Sequence, residues 1–295
     1  MQFDFVVDAH VKVKTFLKQQ DVSKSLLAKI KFSGGKILVN GKEENATYLL
    51  DIGDHLSIII PSERDELGTL KPITHPLAIV YEDAHFLVVN KPVGIPSIPS
   101  ILHSNTMANF VKGYYVDQNY ENQQVHIVTR LDKDTTGLML LAKHGYAHAR
   151  LDKQLQRKTL DKRYLALVSG RGQLDDVGDI IAPIARSEDS IITRCVAKGG
   201  KYAHTSYKVV KSFGDVHLVD VRLHTGRTHQ IRVHFAHIGF PLLGDDLYGG
   251  QMDMGIGRQA LHCHSLKWHN PFSQEVVALR SKLPGDMATL ISNYS

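Results

Sequence analysis

The chain has 295 residues, 43% of them apolar and 22% charged, which leaves room for one large domain plus a small one and excludes a chain disordered throughout. A net charge of +5 is compatible with a nucleic-acid partner, and two cysteines, Cys195 and Cys263, exclude a disulfide framework or a four-cysteine zinc site. The first residues lack a basic stretch running into an apolar one, and no apolar run nears the roughly 18 residues of a membrane span, so a cytoplasmic protein without a membrane segment is expected.

Residues 1–60 read as a small α+β module. Phe16 and Leu17, then Leu26, Leu27 and Ile30, give two short helices one apolar face each. Gly34-Gly35 ends the helical pattern, residues 36–39 read as a strand, and Asn40-Gly41 signals a tight turn. Lysines 12, 14, 18, 24, 29, 31 and 36 face one acid, Asp21, between positions 10 and 36. Such a cluster suits either a phosphate backbone or solvent. Residues 61–76 mix proline, serine, glycine and charge without periodicity and read as a linker. From 77 to 295, short strands and a few helices alternate without a βαβ rhythm, which favours an α+β domain.

Four segments of that domain invite a chemical reading. Asn90-Lys91-Pro92-Val93-Gly94 follows an apolar strand and reads most simply as a strand exit. In the second, His126 to Leu138, a dense polar stretch precedes a buried strand, with Asp132 flanked by Arg130 and Lys133. Flanking positive charge keeps a carboxylate ionised, fit to act as nucleophile or general base; a surface turn with local ion pairs fits the same residues. In the third, residues 145–164, Ala147, Leu151 and Leu155 mark the apolar side of a helix. Arg150, Lys153 and Arg157 share another side, a basic stripe suited to an RNA backbone. Tyr164 then opens a strand. In the fourth, residues 223–234, a helix is expected to start near Thr228 as N-cap. His229 and Arg232 then project together, with Arg227 nearby where a helix start attracts anions. His229, His234 and His237, with His262, Cys263 and His264, lack convergent ligand spacing, so no metal is expected.

Together these strings resemble the RluA family of pseudouridine synthases, which includes RluD- and RluC-like enzymes of large-subunit ribosomal RNA. Arg130-Leu131-Asp132 with Thr135-Thr136-Gly137 is similar to the family's catalytic motif, and Lys162-Arg163-Tyr164 to its second. Thr225-Gly226-Arg227-Thr228-His229-Gln230-Ile231-Arg232 is similar to its third, extended by Gly244-Asp245 and Tyr248-Gly249. Arg258-Gln259-Ala260-Leu261-His262 is similar to its tail. One departure is Thr129, where the family usually has histidine before Arg-Leu-Asp. Residues 1–60 resemble an S4 RNA-binding domain in the Phe16-Leu17 pair, Ser23-Lys24 and the Asn40-Gly41 and Gly53-Asp54 turns, although S4 domains more often carry arginine than lysine.

The resemblance implies a pseudouridine synthase fold, with a central mixed, mainly antiparallel sheet flanked by helices. It implies isomerisation of uridine in structured RNA, ribosomal RNA foremost and transfer RNA as an alternative, without a cofactor; no dimerisation stripe is evident in the sequence, so a monomer is expected. It implies catalysis by Asp132, Tyr164 and Arg232, with Arg232 as the ion-pair partner of Asp132 and Tyr164 against the uracil, stacking or relaying a proton. Arg130 is then a candidate to fill the stack that the base leaves. Arg150, Lys153, Arg157, Arg227, His229 and Lys24 become RNA contacts. The competing classes are a non-catalytic RNA-binding protein and a metal hydrolase using the histidines.

Overall fold

A computed structural model describes residues 1–63, 68, 70–101, 103–188, 190 and 192–294; residues 64–67 and 69 of the expected linker lie outside that set. The first 60 residues contain a four-stranded antiparallel sheet ordered Gln2–Val6, His55–Ile59, Lys36–Val39, Lys42–Glu43. Asn40 and Gly41 turn the chain between its last two strands with φ of 51° and 80°, the paired left-handed values of a type I′ hairpin. Helices Val13–Gln19 and Lys24–Phe32 bury Phe16, Leu17, Leu26 and Ile30. Ser23 caps the second, its Oγ accepting from the Leu26 amide at 3.1 Å.

This module is seated on the rest of the chain. Its apolar cluster takes in Tyr146, from the helix Gly145–Gln156. The Phe3 ring lies 4.9–5.9 Å from the rings of His85, His144, Tyr146 and Phe272. Tyr146 donates to the Gln20 carbonyl at 2.7 Å. Glu63 adds a polar fastening, accepting from the Gly145 amide at 2.9 Å and lying 2.7 Å from His126 and 3.6 Å from Lys29. Burial alone would raise its carboxyl pKa, but those partners hold it down at about 2.

The remainder is an α+β domain built on a ten-stranded mixed sheet. The main order is Val177–Ile181, His204–Phe213, Val216–Leu223, Asp161–Ser169, Leu261–His269, Thr136–Ala142, Phe86–Lys91, Ile79–Glu82. Val276–Arg280 also pairs with Leu261–His269, and His126–Ile127 with Thr136–Ala142. Among the described residues the sheet pairs are antiparallel except Thr136–Ala142 beside Leu261–His269. Leu138 to Ala142 are fully buried, as expected of a central strand covered on both faces. Phe110, Val111 and Tyr115 of helix Met107–Asp117, Leu151 of Gly145–Gln156 and Phe235 of Gln230–His237 join that core. Among the described residues no helix is long and apolar enough to cross a membrane.

One element starts later than expected. The helix anticipated from Thr228 begins at Gln230, and the residue before it, His229, has φ 56°. Gln230 explains the shift: its side-chain oxygen accepts from Thr225 Oγ1 at 2.7 Å and the Arg227 amide at 3.0 Å. Its amide nitrogen donates to the His204 carbonyl and Thr205 Oγ1, so the glutamine side chain organises the turn where a Thr228 cap was expected.

Candidate active site

The parallel strand pair brings two motifs together. Gly137 lies opposite Cys263, and Cys263 lies opposite Tyr164 on its other side. Gly137 has φ 113°, and a Cβ there would overlap the Cys263 carbonyl oxygen, so only glycine lets the strands approach. Asp132 therefore sits on the loop entering a strand whose Gly137 lies two strands across from Tyr164.

That loop is held on both sides of Asp132. Ser97 Oγ donates to the Leu131 carbonyl at 2.6 Å and accepts from the Leu131 amide at 3.0 Å. The Lys91 ammonium, 1% exposed, donates to the carbonyls of Lys133, Ile95 and Pro92 at 2.7, 2.7 and 2.9 Å. Burial lowers its pKa to about 7 against the pull of Asp134 and Asp132. The motif that read as a plain strand exit thus anchors the loop. Arg258, itself fixed by Asp286, donates to the Asp134 carbonyl at 3.0 Å, and Gln259 reaches Thr135 Oγ1 at 3.2 Å. Thr129 is buried, and its hydroxyl accepts from the Leu140 amide at 2.9 Å, stitching the loop to the strand.

A cleft of about 380 Å³ opens here, and Asp132, Tyr164, Arg232, Arg130, Arg227 and His229 all line it. Asp132 is partly exposed, Tyr164 only 4%. Burial, with Cys263 and Asp132 adding to it, pushes the Tyr164 phenol well above its usual pKa, so it stays protonated. His229 is pulled down by burial, against Asp132; its Nδ1 lies 2.8 Å from Tyr248 Oη, which accepts from the Arg194 amide.

The expected ion pair between Asp132 and Arg232 is not formed. Arg232 instead makes a bidentate pair with Asp245, Nε to Oδ2 and Nη2 to Oδ1, both at 2.7 Å. Asp245 is fully buried and requires a cation, and the planar fork serves both of its oxygens. The guanidinium carbon lies 5.0 Å from the centre of the Tyr248 ring. Asp132 acts on Arg232 as a more distant charge.

The basic stripe expected to face RNA has a partner within the chain. Arg150 and Lys153 both pair with Asp21 of the N-terminal module, Arg150 at 3.7 Å. They belong to the seam between the two parts and do not line the cleft. Arg157 is exposed beyond the helix end, and Lys24 is exposed at the start of its own helix, both outside the cleft. Sequence reasoning gave no role to Asp245 and Tyr248, which secure Arg232 and His229, or to Lys158 and Lys162, which line the cleft.

Comparison with known proteins now bears on this arrangement. Residues 85–237 match the family model described as RNA pseudouridylate synthase. The chain belongs to that family. It is 43% identical to the Bacillus subtilis protein named as the uncharacterized RNA pseudouridine synthase YjbO, over 95% of this chain and 98% of that one. It is 39% identical to the ribosomal large subunit pseudouridine synthase D of Nitrosomonas europaea, covering 81% of this chain and 71% of that one. Human RNA pseudouridylate synthase domain containing 4 shares the fold, with a TM-score of 0.61 at 22% identity over 74% of this chain and 92% of that one. The synthase family's match spans the Asp132, Tyr164 and Arg232 segments together.

The histidines weighed for metal are used singly: His234 lies 2.9 Å from Thr205 Oγ1 and 3.0 Å from the Ala182 carbonyl, and His262 lies 2.9 Å from Thr136 Oγ1. A different trio, Asp179, His204 and His224, has ligand atoms within 4.8 Å of one another. Its two rings stack at 4.0 Å, however, and their Nε2 atoms already meet Asp179 and Ser206. Stacked rings aim their lone pairs side by side, a poor match to tetrahedral convergence.

Proposed function

We propose that this cleft isomerises uridine to pseudouridine in RNA, with Asp132 as the essential carboxylate. The observation that carries the reading is the meeting of Asp132, Tyr164 and Arg232, from three distant segments, in one cleft. The reaction breaks N1–C1′ and joins C1′ to C5, so charge develops on sugar and base. A carboxylate on a tightly held loop can stabilise or capture the sugar carbon, as in glycosidases. Tyr164, kept a phenol by burial, serves by stacking or by donating a hydrogen bond. Arg232, its fork anchored by Asp245, supplies fixed positive potential. Atoms balance without a cofactor, since one proton leaves C5 and one joins N1.

The base must leave its stack to enter the cleft, which costs a few kcal/mol. Arg130 and Arg227 on the exposed rim, with His229 beside them, suit the flanking RNA. Large-subunit ribosomal RNA is the favoured substrate, supported by likeness to proteins named synthase D. Residues 1–60 are read as an S4-like module contacting RNA through exposed Lys12, Lys14, Lys18, Lys24 and Lys31, none in an ion pair among the described residues. The chain is taken to work as a cytoplasmic monomer. The decisive experiment is Asp132→Asn, with pseudouridine mapped by carbodiimide stops in deproteinised ribosomal RNA. Loss of product with retained RNA binding is expected, and full activity would refute the assignment.

A further inference from the structure

Among the described residues, four largely buried cations of this domain have partners. Lys91 serves three carbonyls, Arg232 holds Asp245, Arg258 holds Asp286 and Lys143 holds Glu82. Lys162 lines the cleft from the start of the Tyr164 strand, and its ammonium makes no hydrogen bond or ion pair among the described residues. Burial disfavours its charge, and the one ionisable group opposing that is Cys263, which lies across the ladder from Tyr164. The side chain keeps part of its surface in the cleft, so an ammonium without a counter-charge there is open to an arriving anion.

Two anionic groups can enter: a phosphodiester of the RNA strand and the uracil ring once its glycosidic bond opens. Phosphates follow the strand along the rim, where Arg130, Lys158, Arg222 and Arg227 are exposed. Lys162 is only partly exposed and lies on the strand of Tyr164, itself 4% exposed.

We propose that Lys162 is a catalytic residue of this cleft, donating a hydrogen bond to a carbonyl oxygen of the uracil as the ring leaves C1′. The inference rests on the isomerase reading of the cleft. When N1–C1′ breaks, the electron pair goes to N1 and spreads onto the ring carbonyl oxygens. The ammonium faces that developing charge, an arrangement that strengthens in the transition state. When C5 joins C1′, the C5 proton is lost and N1 gains one; Lys162 starts and ends as an ammonium.

Full-length wild type, Lys162→Met, Lys162→Arg and Asp132→Asn test this on large ribosomal RNA from a strain lacking the gene. The readouts are the single-turnover rate by tritium release from C5-labelled uridine, RNA affinity across a salt series, and the thermal midpoint. Lys162→Met should slow the single-turnover step about 10²- to 10³-fold, the usual loss for one oxyanion donor. Its affinity and salt slope should be unchanged. Its thermal midpoint should match wild type, because the ammonium has no partner to lose; a structural lysine would lower it. Lys162→Arg should recover part of the rate. A fully active Lys162→Met beside an inactive Asp132→Asn overturns the role of Lys162 alone. So does a rate restored at saturating RNA with a salt slope reduced by about one, which identifies a phosphate contact. A wild type that forms no pseudouridine overturns the reading of the cleft and this proposal with it.

Discussion

Asp245 decides what Arg232 can do. A fully buried carboxylate and a guanidinium 5% exposed meet through two 2.7 Å bonds. Removing one partner of such a pair leaves an uncompensated buried charge and costs about 3–5 kcal/mol. Asp245→Asn keeps the shape and one acceptor, so a loss near 3 kcal/mol in urea unfolding is expected, together with a fall in turnover. A loss under about 1 kcal/mol would show the pair to be solvent-screened and unimportant. The pair was not legible because Gly244-Asp245 enters only as the extension of a longer motif, and nothing local says that its carboxylate is buried. Asp132, Tyr164 and Arg232 were legible because each lies in a string whose neighbours have their own tasks. Thr225 and Gln230 build a turn, Gly137 permits close strands, and Arg258 and Gln259 brace the loop. The dense wording of those motifs records the packing that surrounds the chemistry as much as the chemistry itself.

At the scale of elements, the site depends on a row of three residues across three strands: Gly137, Cys263 and Tyr164. Gly137→Ala would combine a φ of 113° with an overlap on a backbone carbonyl that has no flexible end to move aside. Strain of that kind costs about 1–3 kcal/mol, and the strands must part to relieve it. The expected outcome is a lower thermal midpoint and a larger loss in turnover than in RNA affinity, since Asp132 and Tyr164 separate. A variant with wild-type midpoint and rate would show that the row does not set the site. Sequence periodicity indicates the helix at 145–156 but not what its basic face meets. Arg150 and Lys153 share a face by spacing, yet spacing is blind to what covers a face. A basic stripe looks the same whether it meets a phosphate or a single aspartate from another part of the chain.

For the whole molecule, that aspartate changes the meaning of the N-terminal module. Asp21 is the only acid between positions 10 and 36, and it is spent on Arg150 and Lys153 at the seam. With Phe3 set among four rings and Glu63 fastened to His126 and Gly145, the module is a docked unit whose lysines stand at a set position relative to the cleft. Fixed placement spares RNA binding the entropy of ordering the module. The test is Phe3→Ala with Asp21→Ala. Truncating a partly buried phenylalanine costs at the lower end of the usual 3–5 kcal/mol range, and the second change leaves two cations side by side. Calorimetry should then resolve two unfolding transitions where wild type shows one, because the module keeps its own apolar cluster. On saturating RNA the single-turnover rate should stay within about twofold, as neither residue lines the cleft, whereas affinity for long ribosomal RNA should weaken about tenfold, roughly the 1.4 kcal/mol of lost pre-organisation. A double variant that melts in one transition at the wild-type temperature, with unchanged affinity, would mean that the seam neither holds the module nor places its lysines for RNA.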